Sequence, residues 1–295
     1  METARTFDIR QTWNLRLSGD RLLTLGERPL VMGILNLTPD SFSDGGLWND
    51  PQRAVDRALA LLEEGADLLD LGAESTRPGG GVYGAGAATV PPEEEAARLL
   101  PVLEALRGRT DAPISVDTRK GEVARRALAA GADLINDVSA LADPELGRAV
   151  AAAGCPVVLM HSRGELASMQ RGIRFHDLLG EVRSELAAAL GRATAAGIDE
   201  EQVVLDPGIG FGKTAAQNLE LIRRLGELAS LGRPLLLGAS RKSFLGGEVS
   251  ERLAGSLAAV ARAADTAAIL RVHDVAETVR FLAVWRALTG EEPEA

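Results

Sequence analysis

The residues best placed to do chemistry sit in Asp206-Pro207-Gly208-Ile209-Gly210-Phe211-Gly212-Lys213-Thr214. An apolar run, Val203-Val204-Leu205, precedes them and a helical pattern from Gln217 to Leu231 follows. The stretch reads as strand, glycine loop, helix, with a carboxylate at the strand end and an ammonium near the helix start. Three glycines let backbone N–H groups turn toward a ligand at close range. It is not a Walker A loop, because Pro207 stands where that motif needs glycine. By itself such a loop fits a phosphate cradle and a plain turn equally well. Other loops of the chain narrow the choice.

Polar groups recur after each apolar run. Asn36 follows the first, and Glu74 to Gly79, with Thr76, Arg77 and Pro78, the second. Asp117 follows the third, Asn136 the fourth, His161 the fifth and Asp206 the sixth. Lys242 and Ser243 follow the seventh, and Arg271 and His273 close the eighth. One Asp or Asn after a strand is ordinarily a turn former or helix cap. Asp137, Thr118, Asp274 and Thr214 fit that reading; eight polar strand ends together do not. Asp117, Asn136, Asp206 and Lys242 mix acceptors and donors in a way that can read the edge of a planar ring, carboxylates pairing with a guanidine-like N–H edge. Arg77, Arg271 and His273 suit a polyanion. Asn36 offers a hard oxygen for Mg2+ carried on phosphates. There is no CxxC, HExxH or Gly-x-Ser-x-Gly pattern, which argues against zinc and a serine elbow.

The elements that must position these groups form a rhythm. Apolar runs at 30–35, 67–72, 113–116, 133–135, 156–160, 203–205, 235–238 and 267–272 alternate with helical patterns. Continuous Val, Ile and Leu runs are what buried parallel strands require. Eight strand–helix units predict an α/β fold, a (β/α)8 barrel over residues 30–290, with its site at the C-terminal ends of the strands. Strands one, two and eight then adjoin, which makes an anion site there contiguous. A doubly wound open sheet is the alternative architecture. Residues 1–29, with alternating Trp13, Leu15, Leu17 and then Leu23, Leu25, predict a hairpin that plugs the barrel.

The bulk composition agrees. The 295 residues are 46% hydrophobic, enough for one large domain. A net charge of −10 without a basic run argues against nucleic acid. No apolar run is long enough for a membrane span, so a soluble cytoplasmic protein is the expectation. The single cysteine, Cys155, has no internal partner and is expected to be buried. Of 32 basic residues only Lys120, Lys213 and Lys242 are lysines, and all three lie in loop motifs. A lysine kept in an arginine-rich background marks a position where that side chain is needed.

Seven ordered blocks, MGILNLTPDSFSDGG, DLGAESTRPG, ISVDTRK, INDVSAL, DPGIGFGKT, SRKSF and RVHDVAET, give a resemblance to the dihydropteroate synthase family across residues 30–277. The resemblance implies a (β/α)8 barrel, a homodimer, and Mg2+-assisted joining of p-aminobenzoate to 6-hydroxymethyl-7,8-dihydropterin pyrophosphate. It implies pterin binding by Asp117, Asn136, Asp206 and Lys242, a metal-associated Asn36, and pyrophosphate binding by Arg271 and His273. Thr76 matches a substrate contact, and Pro78, Phe211 and Ser243 match the lining of the p-aminobenzoate pocket. Lys242, Asp117, Asp206 and Arg271 are the residues expected to carry catalysis. An arylamine is nucleophilic while neutral, so no proton acceptor is assigned; the tasks are positioning and charge stabilisation.

Three departures stand out. Residues 80–90 make the second loop unusually long, Ser162 replaces the usual Met, and Thr266 replaces a common Gly. Two rival readings remain: a pterin-binding methyltransferase acting on a methylated folate, and a non-catalytic pterin-binding protein. Neither needs both the SRKSF loop and the Arg271/His273 pair.

Overall fold

A computed structural model of the protein describes residues 11–38, 51–74, 90–164, 172 and 174–290. Thr76, Arg77 and Pro78 lie outside the described residues, as do most of the first loop (38–50) and of the long second loop.

Eight parallel strands form one sheet: β3 (Leu30–Asn36), β4 (Leu68–Gly72), β5 (Ile114–Asp117), β6 (Leu134–Asp137), β7 (Val157–Met160), β8 (Val203–Asp206), β9 (Leu236–Leu237) and β10 (Ile269–Val272). Their spatial order is β8-β7-β6-β5-β4-β3-β10-β9. A bridge between Leu205 and Leu235 joins the two ends, so the sheet closes into a barrel. Helices α1 (Pro51–Glu63), α2 (Pro92–Arg107), α3 (Gly121–Ala129), α4 (Pro144–Ala153), α5 (Leu178–Ala195), α6 (Ala215–Arg223), α7 (Leu253–Ala263) and α8 (Val275–Thr289) lie between successive strands or after the last. The (β/α)8 expectation is met. One helix differs: the periodic segment to Leu231 is α-helical only to Arg223 and continues as a 3-10 stretch, Leu225–Leu231. Gly226 is a weak helix former, and Arg224 at the junction pairs with both Glu220 and Glu227, while Leu225 and Leu228 stay buried.

The two-residue period of a strand divides the barrel interior into layers. Leu30, Met32, Leu68, Leu134, Val158, Val204, Leu236 and Ile269 form an apolar layer at the N-terminal end of the strands. Two residues further along the same strands come Asp70, Asn136, Met160, Asp206 and Arg271, with Asp117 at the matching end of β5. Residues of the other parity, such as Leu69, Leu71, Val116, Ile135, Leu159 and Leu205, pack against the helices. One step along each inward face therefore turns core into site.

The apolar layer is covered by the hairpin of β1 (Trp13–Arg16) and β2 (Leu22–Leu25). Its Leu15, Leu17, Leu23 and Leu25 are buried in the same cluster. Each contributes roughly 2 kcal/mol relative to exposure, so the hairpin acts as the expected plug. Asp133 anchors it: one oxygen accepts from Ser18 Oγ (3.0 Å) and from the Arg21 guanidinium, and the other accepts from Ile114 N (2.9 Å) and forms an ion pair with Arg107 (3.1 Å). Cys155 is buried just before β7, and burial pushes its thiol up to about 12.

Candidate active site

The polar layer opens into a pocket lined by Asp117, Asn136, Met160, Asp206, Phe211, Lys242 and Arg271. Register places its members. Asp117 stands opposite both Gly72 and Asn136, and Asp206 opposite Met160.

Asp70, in the middle of β4, belongs to this cluster although the sequence reading absorbed it into an apolar run. Arg271 Nε donates to Asp70 Oδ2 (2.6 Å) and Arg271 Nη2 to Asp117 Oδ2 (2.8 Å). Asn136 Nδ2 donates to the same Asp70 oxygen at 3.2 Å. The signal available in the sequence was a carboxylate at an inward-facing position of a strand otherwise made of Leu and Gly. Arg271 thus stands among the acids of the pocket.

Three carboxylates, Asp70, Asp117 and Asp206, face two cations, Lys242 and Arg271. Asp70 Oδ1 and Asp117 Oδ1 are buried and have no hydrogen-bond partner among the described residues. A buried acceptor without a donor is costly, so the pocket suits a ligand that brings N–H donors. Burial, outweighing Arg271 and aided by repulsion from Asp70, pushes Asp117 up to about 7. Burial also raises Asp206, against the Gly208 N–H that donates to its Oδ1 (2.7 Å) and against Lys242. Lys242 is pulled down to about 8, by burial first and then by Arg271. Burial disfavours the Arg271 charge too, but Asp70 and Asp117 outweigh it and hold the guanidinium above its ordinary range. Lys242 Nζ sits 4.2 Å from the Phe211 ring centroid, a cation–π contact that fixes both.

His273 lies at the rim. Burial, then Arg271 and Arg241, lower it to about 3, so its ring is neutral. Ser240 Oγ accepts from His273 N (3.2 Å) and lies 3.1 Å from Nδ1. Arg241, at φ +56°, turns the chain so that Lys242 enters the pocket, and pairs with Asp274. That pairing, not helix capping, is what the Asp274 side chain does; Thr214 is a true cap of α6 with Gln217. Ser243 starts a 3-10 turn after Lys242. Ser162 bonds Val138 O (3.2 Å), and Met160, two residues earlier, lines the pocket.

The Asn36 side chain ends β3, opposite Gly72. Among the described residues no cluster of three or more His, Cys, Asp or Glu could hold a metal. One carboxamide oxygen fits Mg2+ that keeps waters and phosphate oxygens as its other ligands, the usual manner for this ion.

A family model described as pterin binding enzyme matches residues 32–273. A dihydropteroate synthase of Synechocystis sp. is 46% identical over 277 residues, covering 92% of this chain and 93% of the relative. The chain belongs to the dihydropteroate synthase family. Two solved Xanthomonas albilineans members of the family agree in fold. One, with 4-aminobenzoic acid, has a TM-score of 0.86 at 48% identity and covers 95% of this chain and 99% of its own. The other, in complex with 7,8-dihydropteroate, has a TM-score of 0.82 at 45% identity, covering 94% and 99%.

Proposed function

We propose that this chain is a transferase of folate biosynthesis, condensing 6-hydroxymethyl-7,8-dihydropterin pyrophosphate with p-aminobenzoate to give 7,8-dihydropteroate and pyrophosphate. The observation that carries this is the donor-hungry carboxylate pocket of Asp117, Asn136, Asp206 and Lys242, in a chain so similar to family members that hold 4-aminobenzoic acid or the product.

The reaction breaks the C–O bond between the pterin methylene and pyrophosphate, forms a C–N bond to the arylamine, and releases one amine proton. Asp117 and Asp206 accept from the pterin N–H edge, and the excess carboxylate favours positive charge developing on the electron-rich ring. Lys242 donates to ring acceptors and spans from Asp206 to the Phe211 wall, where p-aminobenzoate would lie; Ser243 follows it toward that pocket. Thr76, Arg77 and Pro78 are assigned to the substrates from the sequence motif. Arg271 and His273 are assigned to the leaving group from the sequence motif, an electrostatic task. Asn36 would help hold Mg2+, which when bound with pyrophosphate supplies positive charge to the departing oxygen.

A cytoplasmic homodimer is the state we propose. A lone buried thiol suits a reducing compartment. For the dimer, α8 carries exposed Val284 (61%) and Leu288 (79%) beside the stacked Phe281–Trp285 pair, an apolar face suited to a second copy.

The test is incubation with dihydropterin pyrophosphate, p-aminobenzoate and Mg2+. Dihydropteroate and pyrophosphate should appear in equal amounts. Tight pterin binding without product would replace the enzyme reading with that of a pterin-binding protein, and methyl transfer from a methylated folate would favour the other rival.

A further inference from the structure

Lys213 is 4% exposed, yet it points away from the pocket and into the turn that carries Phe211. Its Nζ lies 2.9 Å from Gly208 O, 2.9 Å from Phe211 O and 2.9 Å from His161 Nδ1. These three near acceptors, with His161 O more distant at 3.5 Å, match the three N–H bonds of an ammonium. Nδ1 of His161 is thereby an acceptor, its proton sits on Nε2, and that N–H donates to Glu185 Oε2 at 3.0 Å. Glu185, on α5, is held in turn by Arg163 Nε at 2.9 Å. A relay thus runs from α5 through His161 and Lys213 to two carbonyls of the β8–α6 turn. Other bonds also hold the turn, Gly208 N–H on Asp206 Oδ1 (2.7 Å) and Phe211 N–H on Gly208 O (3.1 Å), but Lys213 is the side chain that gathers two of its carbonyls. Gly208 lies at φ +67°, so tight on β7 that a Cβ would sit 1.8 Å from His161 O, and Gly210 N bonds Asn218 Oδ1 at 2.8 Å.

We infer that Lys213 is a positioning residue for the arylamine: by gathering the Gly208 and Phe211 carbonyls it sets the aromatic wall against which p-aminobenzoate lies. Asp206 is fixed at the end of β8, where His161 N donates to its carbonyl (2.8 Å), and among the described residues its side chain meets the turn through Gly208 N–H (2.7 Å). Loss of the ammonium should therefore loosen Phe211 much more than the pterin end of the pocket. The inference rests on the reaction proposed above.

The experiment compares wild type, Lys213→Met and Glu185→Gln as full chains. Lys213→Met should raise KM for p-aminobenzoate about tenfold or more while KM for dihydropterin pyrophosphate changes less than about threefold. Glu185→Gln, at a partly exposed site, should shift the same KM in the same direction by about two- to fivefold. A folded Lys213→Met chain with unchanged p-aminobenzoate KM, or with both KM values raised equally, overturns the inference. If that variant does not fold, Glu185→Gln decides alone, and an unchanged KM there overturns it. Amide hydrogen exchange at residues 208–212 needs no substrate and separates the two claims. Faster exchange there in the variants supports positioning even if wild type makes no dihydropteroate, which would count against the reaction alone; unchanged exchange overturns positioning.

Discussion

Both ends of the barrel contain buried acids, and they are treated in opposite ways. At the N-terminal end Asp133 uses both oxygens, on Ser18, Arg21, Ile114 and Arg107, under a lid of leucines. At the C-terminal end Asp70 and Asp117 each keep one buried oxygen without a partner among the described residues, and the Asp117 carboxyl is raised to about 7. A satisfied acid stabilises the fold; an unsatisfied one stores free energy that a ligand's donors can release. Glu95 Oε1 is a third such oxygen, but Asp70 and Asp117 share Arg271, which gathers their spare acceptors into one cluster.

Lys242→Ala breaks the contrast from the active side. It should lower kcat/KM about a thousandfold by removing the ammonium beside Asp206 and Phe211, while the melting temperature stays within a few degrees because Arg271 and Lys213 still offset the Asp206 charge. Steady-state kinetics beside a thermal melt checks both halves, and a large loss of stability would make the lysine structural. Asp133→Ala is the mirror case. It leaves Arg21 and Arg107 facing an empty position and should cost about 3–5 kcal/mol of stability by urea titration, with kcat unchanged in the folded chain.

A smaller effect is the pH window. If Asp117 must be ionised and Lys242 charged, kcat/KM for the pterin substrate rises as pH passes about 7 and falls as it passes about 8. Asp117→Asn should remove the acid limb and leave the alkaline one. The smallest effect is on stability. His161 and His273 are held near 3, below the ordinary 6.5, so the unfolded chain takes up protons first and stability falls as pH drops from 6.5 toward 3. Asp117 acts with the opposite sign, since its raised value means the folded chain binds the proton first as pH drops through 7. Asp117→Asn should therefore lose stability more steeply than wild type between pH 7 and 4, measured as denaturation midpoints against pH.

The barrel was legible because its strands are continuous Val, Ile and Leu runs, each followed by polar residues. Helix α2 falls at Pro92–Arg107, between the second and third apolar runs as their alternation with helical patterns implies. The helix after β8 was overextended, because apolar spacing in Leu225 and Leu228 does not distinguish α from 3-10 winding. In the site, Asp117, Asn136, Asp206, Phe211, Lys242 and Arg271 come together as the strand ends imply. Asp70 was hidden, since its meaning depends on partners 66 and 201 residues away. The scarcity of lysine did carry information. Lys242 is in the pocket, Lys213 organises the turn beside it, and Lys120 lies in ion pairs with Glu74 and Glu95.

Cys155 gives the molecule a built-in clock. It is the one thiol in 295 residues, it is buried beneath the strands, and its ionisation lies near 12. A thiol reagent at pH 8 will find almost no thiolate in the closed chain, and modification will proceed at the rate at which the barrel opens. One chain gives one signal, so the time course of labelling measures how long the barrel stays shut, and a substrate that tightens the opposite end should slow it.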